Sequence, residues 1–226
     1  MDWRTPQPQP IGIIDSGAGG DRLRRVLQSY LPQELFLSVS DKENFPYGNK
    51  SCGFLFARTA KQIERLRELD CKVIILGCGT LSALVFPEVQ SLTRIPILDM
   101  ITPVAKWLSL GSDVVGIIGT QNTIASEKWE RQLQLKQGRF YTCACPELAT
   151  AIERGVSGEQ LRQVIRQQTL SLPKVDYLLL GCTHYPRAWA DFKKVFSTTY
   201  LIDPALFLVA ELGRTLKEVN YVLNRS

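Results

Sequence analysis

The stretches VIILGCGTLSA (residues 73–83) and YLLLGCTHYP (177–186) decide how this chain reads. Each is an apolar run that closes on Gly-Cys, with threonine one or two places on. The two cysteines, Cys78 and Cys182, lie 182 − 78 = 104 residues apart. Short runs of Val, Ile and Leu bounded by glycine predict strands buried on both faces, the kind parallel sheets are made of. A thiol that follows such a run stands at the junction between strand and helix. The chain builds this device twice.

Working outward, strand-like runs alternate with helical segments along the whole chain. IGII (11–14), LFLSV (35–39), KVIIL (72–76), IPIL (95–98), VVGII (114–118), RFYTC (139–143), VDYLLL (175–180) and YLI (200–202) read as strands. Residues 51–69 predict a helix with Phe54, Leu55, Ile63 and Leu66 on a recurring face. Residues 158–172 predict another, opened by a capping box from Ser157 to Gln160. Such alternation predicts α/β architecture, with mainly parallel sheets and helices on both faces. It divides into a first α/β domain, residues 1–98, and a second, 99–203, each holding one Gly-Cys device. A closing amphipathic helix, 204–226, is expected to pack back on the first domain.

With 45% hydrophobic and 22% charged residues, the 226-residue chain has the composition of a soluble protein with a full core. No apolar run approaches the ~18–20 residues of a membrane helix, so no membrane partner is expected. The opening MDWRTPQPQP is acidic and proline-rich where a secretory leader is basic and then apolar, and it reads as an extended lead-in to a cytoplasmic protein. The net charge of +5 is modest, and the arginines of DRLRRVL (21–27) alternate with apolar residues as on a solvated helix face. No nucleic-acid partner is expected from that pattern. Six cysteines without a leader do not predict disulfides. Cys143 and Cys145 are spaced more closely than C-x-x-C, with no further Cys or His beside them, so no metal site is expected. They, Cys52 and Cys71 read as packing residues.

In open parallel sheets, ligands gather at the carboxyl ends of the strands. IIDSGAGG (13–20) fits that place, and Gly17, Gly19 and Gly20 let backbone N–H groups approach a ligand. The spacing is neither G-x-G-x-x-G nor a P-loop. Asp15 either joins the chemistry or caps the next helix. FPYGNKS (45–51) is a turn on the same edge. A cysteine at a helix start has its thiolate stabilised, so its pKa is expected to fall from ~8.5. A lone cysteine is usually a small hydrophobe, but two in one context point to use. His184, the only histidine, follows Cys182 by two residues and reads as its proton-handling partner rather than as a structural side chain. Two thiols, one per domain, suit inversion of a stereocentre, where one group removes a hydrogen from one face and the other returns it on the opposite face. A redox disulfide is the competing reading, and a substrate-wide gap would forbid it.

On these residues the chain resembles the cofactor-independent glutamate racemases of the aspartate/glutamate racemase superfamily. DSGAGG, PYG, GCGT and GCTHYP occur in that order, and GTQNTIASEKW (119–129) is similar to a threonine-rich stretch of the family, with Trp129 where a tyrosine is usual. The resemblance implies two α/β domains with the active site in the cleft between them, and neither a cofactor such as pyridoxal phosphate nor a metal. It implies Cys78 and Cys182 as the acid/bases, with Asp15 assisting Cys78 and with Glu153 and His184 assisting Cys182. Asp15, Ser16, Pro46, Tyr47, Gly48, Gly79, Thr80, Thr123, Thr183 and His184 match positions that bind the amino acid. The implied reaction interconverts L-glutamate and D-glutamate, a building block of bacterial peptidoglycan, and homodimers are common in the family.

One position departs. The family usually reads Cys-Asn-Thr where this chain reads Cys78-Gly79-Thr80. The missing amide amounts to a hydrogen bond to a charged group, about 1.5–3 kcal/mol. That loss leaves two alternatives open: aspartate or another acidic amino acid as substrate, or a protein that binds an acidic amino acid without turning it over.

Overall fold

The computed structural model describes residues 9–108, 113–133 and 139–223; the lead-in read at residues 1–8 lies outside them. Among these residues eight strands form two four-stranded sheets, and each of their strand pairs is parallel. The first sheet holds β1 (Ile11–Asp15), β2 (Phe36–Ser40), β3 (Val73–Leu76) and β4 (Ile97–Asp99) in the order β2-β1-β3-β4. The second holds β5 (Val114–Gly119), β6 (Arg139–Ala144), β7 (Tyr177–Leu180) and β8 (Tyr200–Ile202) in the order β6-β5-β7-β8. In each, the chain moves outward one way and then returns to the far side of its first strand. This order puts a topological switch point at the carboxyl ends of the first and third strands, the place where open parallel sheets bind ligands. Ile14 pairs with Leu76, and Ile118 with Leu180. Asp15 and Cys78 thus leave neighbouring strand tips, as do Thr120 and Cys182 at the matching place in the second sheet.

Helices cover both faces of both sheets. On the first, α1 (Gly19–Tyr30) shares one face with the closing helix, while α2 (Cys52–Glu68), α3 (Gly79–Leu84) and α4 (Phe86–Gln90) cover the other through Leu55, Ile63, Leu66, Leu81 and Val89. On the second, α5 (Thr102–Leu108), α6 (Gln121–Ala125) and α7 (Lys128–Gln132) lie on one side, with Val104, Leu108 and Trp129 in that core. There α8 (Leu148–Glu153), α9 (Gly158–Gln168) and α10 (Trp189–Val195) fill the other side. The closing helix α11 (Pro204–Leu223) lays Leu208, Leu212 and Leu216 against Ile11, Leu23 and Leu27 of the first sheet's layer. β1 and β3 are buried at every residue, which is why, up to Asp15 at the end of β1, their sequences are runs without charge rather than alternating.

Three local expectations are corrected. Phe54 is exposed in the first turn of α2, a turn exposed at each of residues 51–54; its N–H is capped by Ser51 Oγ at 3.3 Å. Cys52 is exposed beside it and is not a packing residue, whereas Cys71 is buried. The Ser157 side chain makes no cap on α9, since Gly158, at φ +64°, turns the backbone between that serine and the helical turn.

Candidate active site

β1 ends on Asp15, which is wholly buried. Its Oδ1 accepts the N–H of Gly17 at 2.9 Å, pinning the turn before α1, and its Oδ2 accepts the Thr183 hydroxyl of the second sheet, also at 2.9 Å. One oxygen secures a local turn and the other reaches across the junction. Burial raises the Asp15 pKa above the usual carboxylate value, although the cationic form of His184 and the donors on Gly17, Thr183 and Gly20 oppose it.

Cys78 caps the start of α3, buried, with its Sγ 3.8 Å from Ser16 Oγ. Its pKa is pushed up to about 11 by burial and by the charge of Asp15, against the backbone N–H groups of Leu81 and Thr80 and the Ser16 hydroxyl. Cys182 is buried after β7, with Sγ 3.8 Å from His184 Nδ1. Its thiol is also pushed up by burial. The N–H groups of His184 and Tyr185 oppose that, and the charges of Cys78 and Asp15 add to it. The expected lowering at a helix start is therefore overturned for both thiols, because each lies too deep for a few N–H dipoles to compensate.

His184 is almost wholly buried, its ring centroid 5.0 Å from that of Phe45. Burial lowers its pKa, despite Asp15 and Glu153 nearby, so the ring is neutral at pH 7. Its Nε2 lies 3.2 Å from Glu153 Oε2 but is not aligned for a hydrogen bond. Glu153, at the end of α8, accepts the Ala18 N–H on Oε1 at 3.3 Å and Arg187 Nη1 on Oε2 at 2.6 Å. One carboxylate thus ties the turn after β1 to the segment after β7. Arg187 is a site residue that sequence reasoning missed; its signal is its place directly after GCTHYP.

Three buried threonine hydroxyls meet across the junction. Thr80 lies 2.9 Å from Thr120 and 3.4 Å from Thr123, and Thr120 and Thr123 are 2.8 Å apart. Thr120 was also missed in sequence, although it opens α6 by accepting the Thr123 N–H at 3.3 Å. The loop after β2 leans on this cluster, since a Cβ on Gly48 would stand 2.7 Å from Thr120 Cβ. In that loop Pro46 is half-buried, and the buried Tyr47 donates its hydroxyl to Asp41 Oδ2 at 2.6 Å. The same carboxylate accepts Arg58 at 2.8 and 2.9 Å and Asn44 at 2.9 and 3.1 Å. The phenol is committed to Asp41, so what this loop offers a ligand is its backbone.

The structure thus gathers Asp15, Ser16, Gly48, Cys78, Gly79, Thr80, Thr123, Glu153, Cys182, Thr183 and His184 at the facing carboxyl ends of the sheets. All six cysteines are free. Among the described residues, no three His, Cys, Asp or Glu are placed to hold a metal, and no helix is long and apolar enough to cross a membrane.

This arrangement has close parallels. Residues 57–212 match the family described as Asp/Glu/Hydantoin racemase. A glutamate racemase of Carboxydothermus hydrogenoformans is 33% identical over 216 residues, 92% of this chain and 80% of that protein. The crystal structure of glutamate racemase from Francisella tularensis in complex with D-glutamate matches with a TM-score of 0.85 at 32% identity, covering 93% of this chain and 81% of that one. A glutamate racemase isoform from Bacillus anthracis matches with a TM-score of 0.86 at 30% identity, covering 93% and 82%. In sequence and in the arrangement of both sheets, the chain belongs to the Asp/Glu/Hydantoin racemase family of isomerases, alongside its glutamate racemases.

Proposed function

We propose that this chain interconverts L- and D-glutamate without a cofactor, with Cys78 and Cys182 as acid and base on opposite faces of the α-carbon, supplying D-glutamate for peptidoglycan. One observation carries the reading. Two buried Gly-Cys turns, one from each sheet, meet at the same junction, with the Ser16 hydroxyl and the charge of Asp15 beside one thiol and His184 beside the other. Glutamate is chosen because the relatives at 30–33% identity are glutamate racemases.

The pKa directions shape the mechanism. With its pKa near 11, Cys78 is thiolate in only about one molecule in a thousand at pH 8. The base must therefore form by handing a proton to a neighbour as the substrate arrives. On the Cys182 side the neutral imidazole of His184 can take it. On the other side Asp15, whose affinity for a proton is raised, sheds its charge on protonation and so relieves the Cys78 thiolate. A thiolate so formed removes the α-hydrogen only if the carbanion charge spreads onto the substrate carboxylate and meets oriented donors. The Thr80, Thr120 and Thr123 hydroxyls and the backbone N–H groups of the turns are those donors. Return of a proton from the second thiol to the other face completes inversion.

The test uses the purified protein in D₂O with L-glutamate, D-glutamate and both aspartates, with no cofactor added. Optical rotation and α-proton exchange are followed together for the parent, Cys78→Ala and Cys182→Ala. We expect interconversion of glutamate and a loss of about 10²–10⁴-fold in each variant, as for removal of an acid/base group. Full-rate racemisation in either variant removes the paired-thiol mechanism. Exchange with aspartate alone moves the substrate, and saturable binding without exchange leaves a binding protein.

A further inference from the structure

The position where the chain departs from the usual Cys-Asn-Thr is where the two halves touch backbone to backbone. A Cβ built on Gly79 would stand 2.4 Å from the carbonyl oxygen of Gly181 and 3.9 Å from Cys182 Cα. The obstacle is main chain, not the end of a flexible side chain, so it cannot rotate aside. It is also anchored from behind. The Gly181 N–H donates to Ile118 O at 2.8 Å, and a Cβ on Gly181 would meet that same oxygen at 2.6 Å.

The Gly79 side is held as firmly. Gly77 N–H donates to Ile14 O at 2.8 Å. The Cys78 carbonyl accepts both the N–H and the hydroxyl of Ser82 at 3.0 Å, and that hydroxyl oxygen accepts the Met100 N–H at 3.1 Å. Each Gly-Cys turn is thus part of its own sheet. A side chain at position 79 would have to move one sheet against the other.

We propose that Gly79 is a positioning residue: its missing side chain lets the Cys78 turn seat on the Gly181 carbonyl, and that contact sets the gap between the Cys78 and Cys182 thiols. The inference deepens the racemase reading and, for its catalytic consequence, rests on it. Asparagine at this position does not restore a lost substrate contact within the present geometry; it wedges the cleft. Neighbouring contacts follow the same plan, since a Cβ on Gly19 would meet Thr183 Oγ1 at 2.3 Å and one on Gly17 would meet His184 Nε2 at 3.0 Å. Those two obstacles are side chains. Among the described glycines that face the other sheet, only Gly79 meets main chain.

The experiment compares the parent with Gly79→Ala and Gly79→Asn by two readouts. The first is the rate at which iodoacetamide labels Cys78 and Cys182 in the protein without substrate, read peptide by peptide with the exposed Cys52 as internal reference. The second is kcat and KM for each glutamate enantiomer. We expect both buried thiols to label at least tenfold faster in the variants, Cys52 to be unchanged, and kcat to fall at least tenfold with KM changed less. Labelling within twofold of the parent overturns the proposal, and if the parent racemises normally the racemase reading stands without it. If the parent does not racemise, labelling still decides the contact. Should both variants fold poorly, hydrogen exchange on the parent decides instead. Amides of residues 79–82 and 181–184 exchanging as slowly as the sheets support the contact, and exchange as fast as in the 42–50 loop overturns it.

Discussion

Thr183 donates its hydroxyl to Asp15 across the junction of the two sheets, at 2.9 Å and out of reach of solvent. The two residues are 168 apart in sequence, and each lies within a motif that reads as a site on its own. The bond fixes the turn after β1 against the turn after β7, with Cys182 next to the donor. Replacing Thr183 with valine leaves one oxygen of a wholly buried carboxyl without its donor. That costs about 1–3 kcal/mol of stability, read by denaturant unfolding, and slows turnover. Serine at the same position keeps the donor and stays close to the parent. A valine variant as stable as the parent would show that the bond contributes nothing.

The single histidine makes a clean probe. The His184 C2–H proton resonance should titrate with a midpoint below 6.5, because burial opposes the cation more than Asp15 and Glu153 favour it. The sign for stability follows. As pH drops through 6.5 the unfolded chain takes the proton first, so the folded state loses stability on the acid side. A midpoint above 6.5 would mean that the two carboxylates outweigh burial.

Thiol reactivity gives a second pH dependence. Only thiolate reacts with iodoacetamide, and Cys78 is held up to about 11. Its labelling rate should rise about tenfold per pH unit from 7 to 10 without levelling. Since the folded pKa lies above the ordinary 9.0, the unfolded chain ionises first and stability is lost as pH climbs past that value. Levelling between pH 8 and 9 would contradict the burial that raises it.

The closing helix tests the scaffold apart from the chemistry. Leu212 is wholly buried in the layer shared by α11, α1 and the first sheet. Leu212→Ala should cost about 2–5 kcal/mol through lost transfer energy and the cavity left behind. The lower melting temperature is expected with the two thiol environments intact. A loss under 1 kcal/mol would show that α11 adds little to this core.

The chain by itself determined the architecture and where its thiols would stand. Runs such as VIIL and YLLL, apolar on both faces, stopped by glycine and alternating with helical segments, read as interior strands of a parallel sheet, and a residue placed just after such a strand emerges at its carboxyl end. That local rule located Asp15, Cys78 and Cys182 before any coordinates. It could not deliver the protonation of the thiols, because their raised pKa comes from burial by residues of both sheets, a sum that the helix-start rule omits. Nor could it find Thr120, Arg187 or the Asp41 carboxylate that holds Tyr47, whose partners lie on other elements. Gly79 is the plainest case. In sequence it reads as a missing amide, and only the folded chain reveals the Gly181 carbonyl in the space a side chain would need, because spacing along a chain carries no information about how closely two separately anchored turns approach.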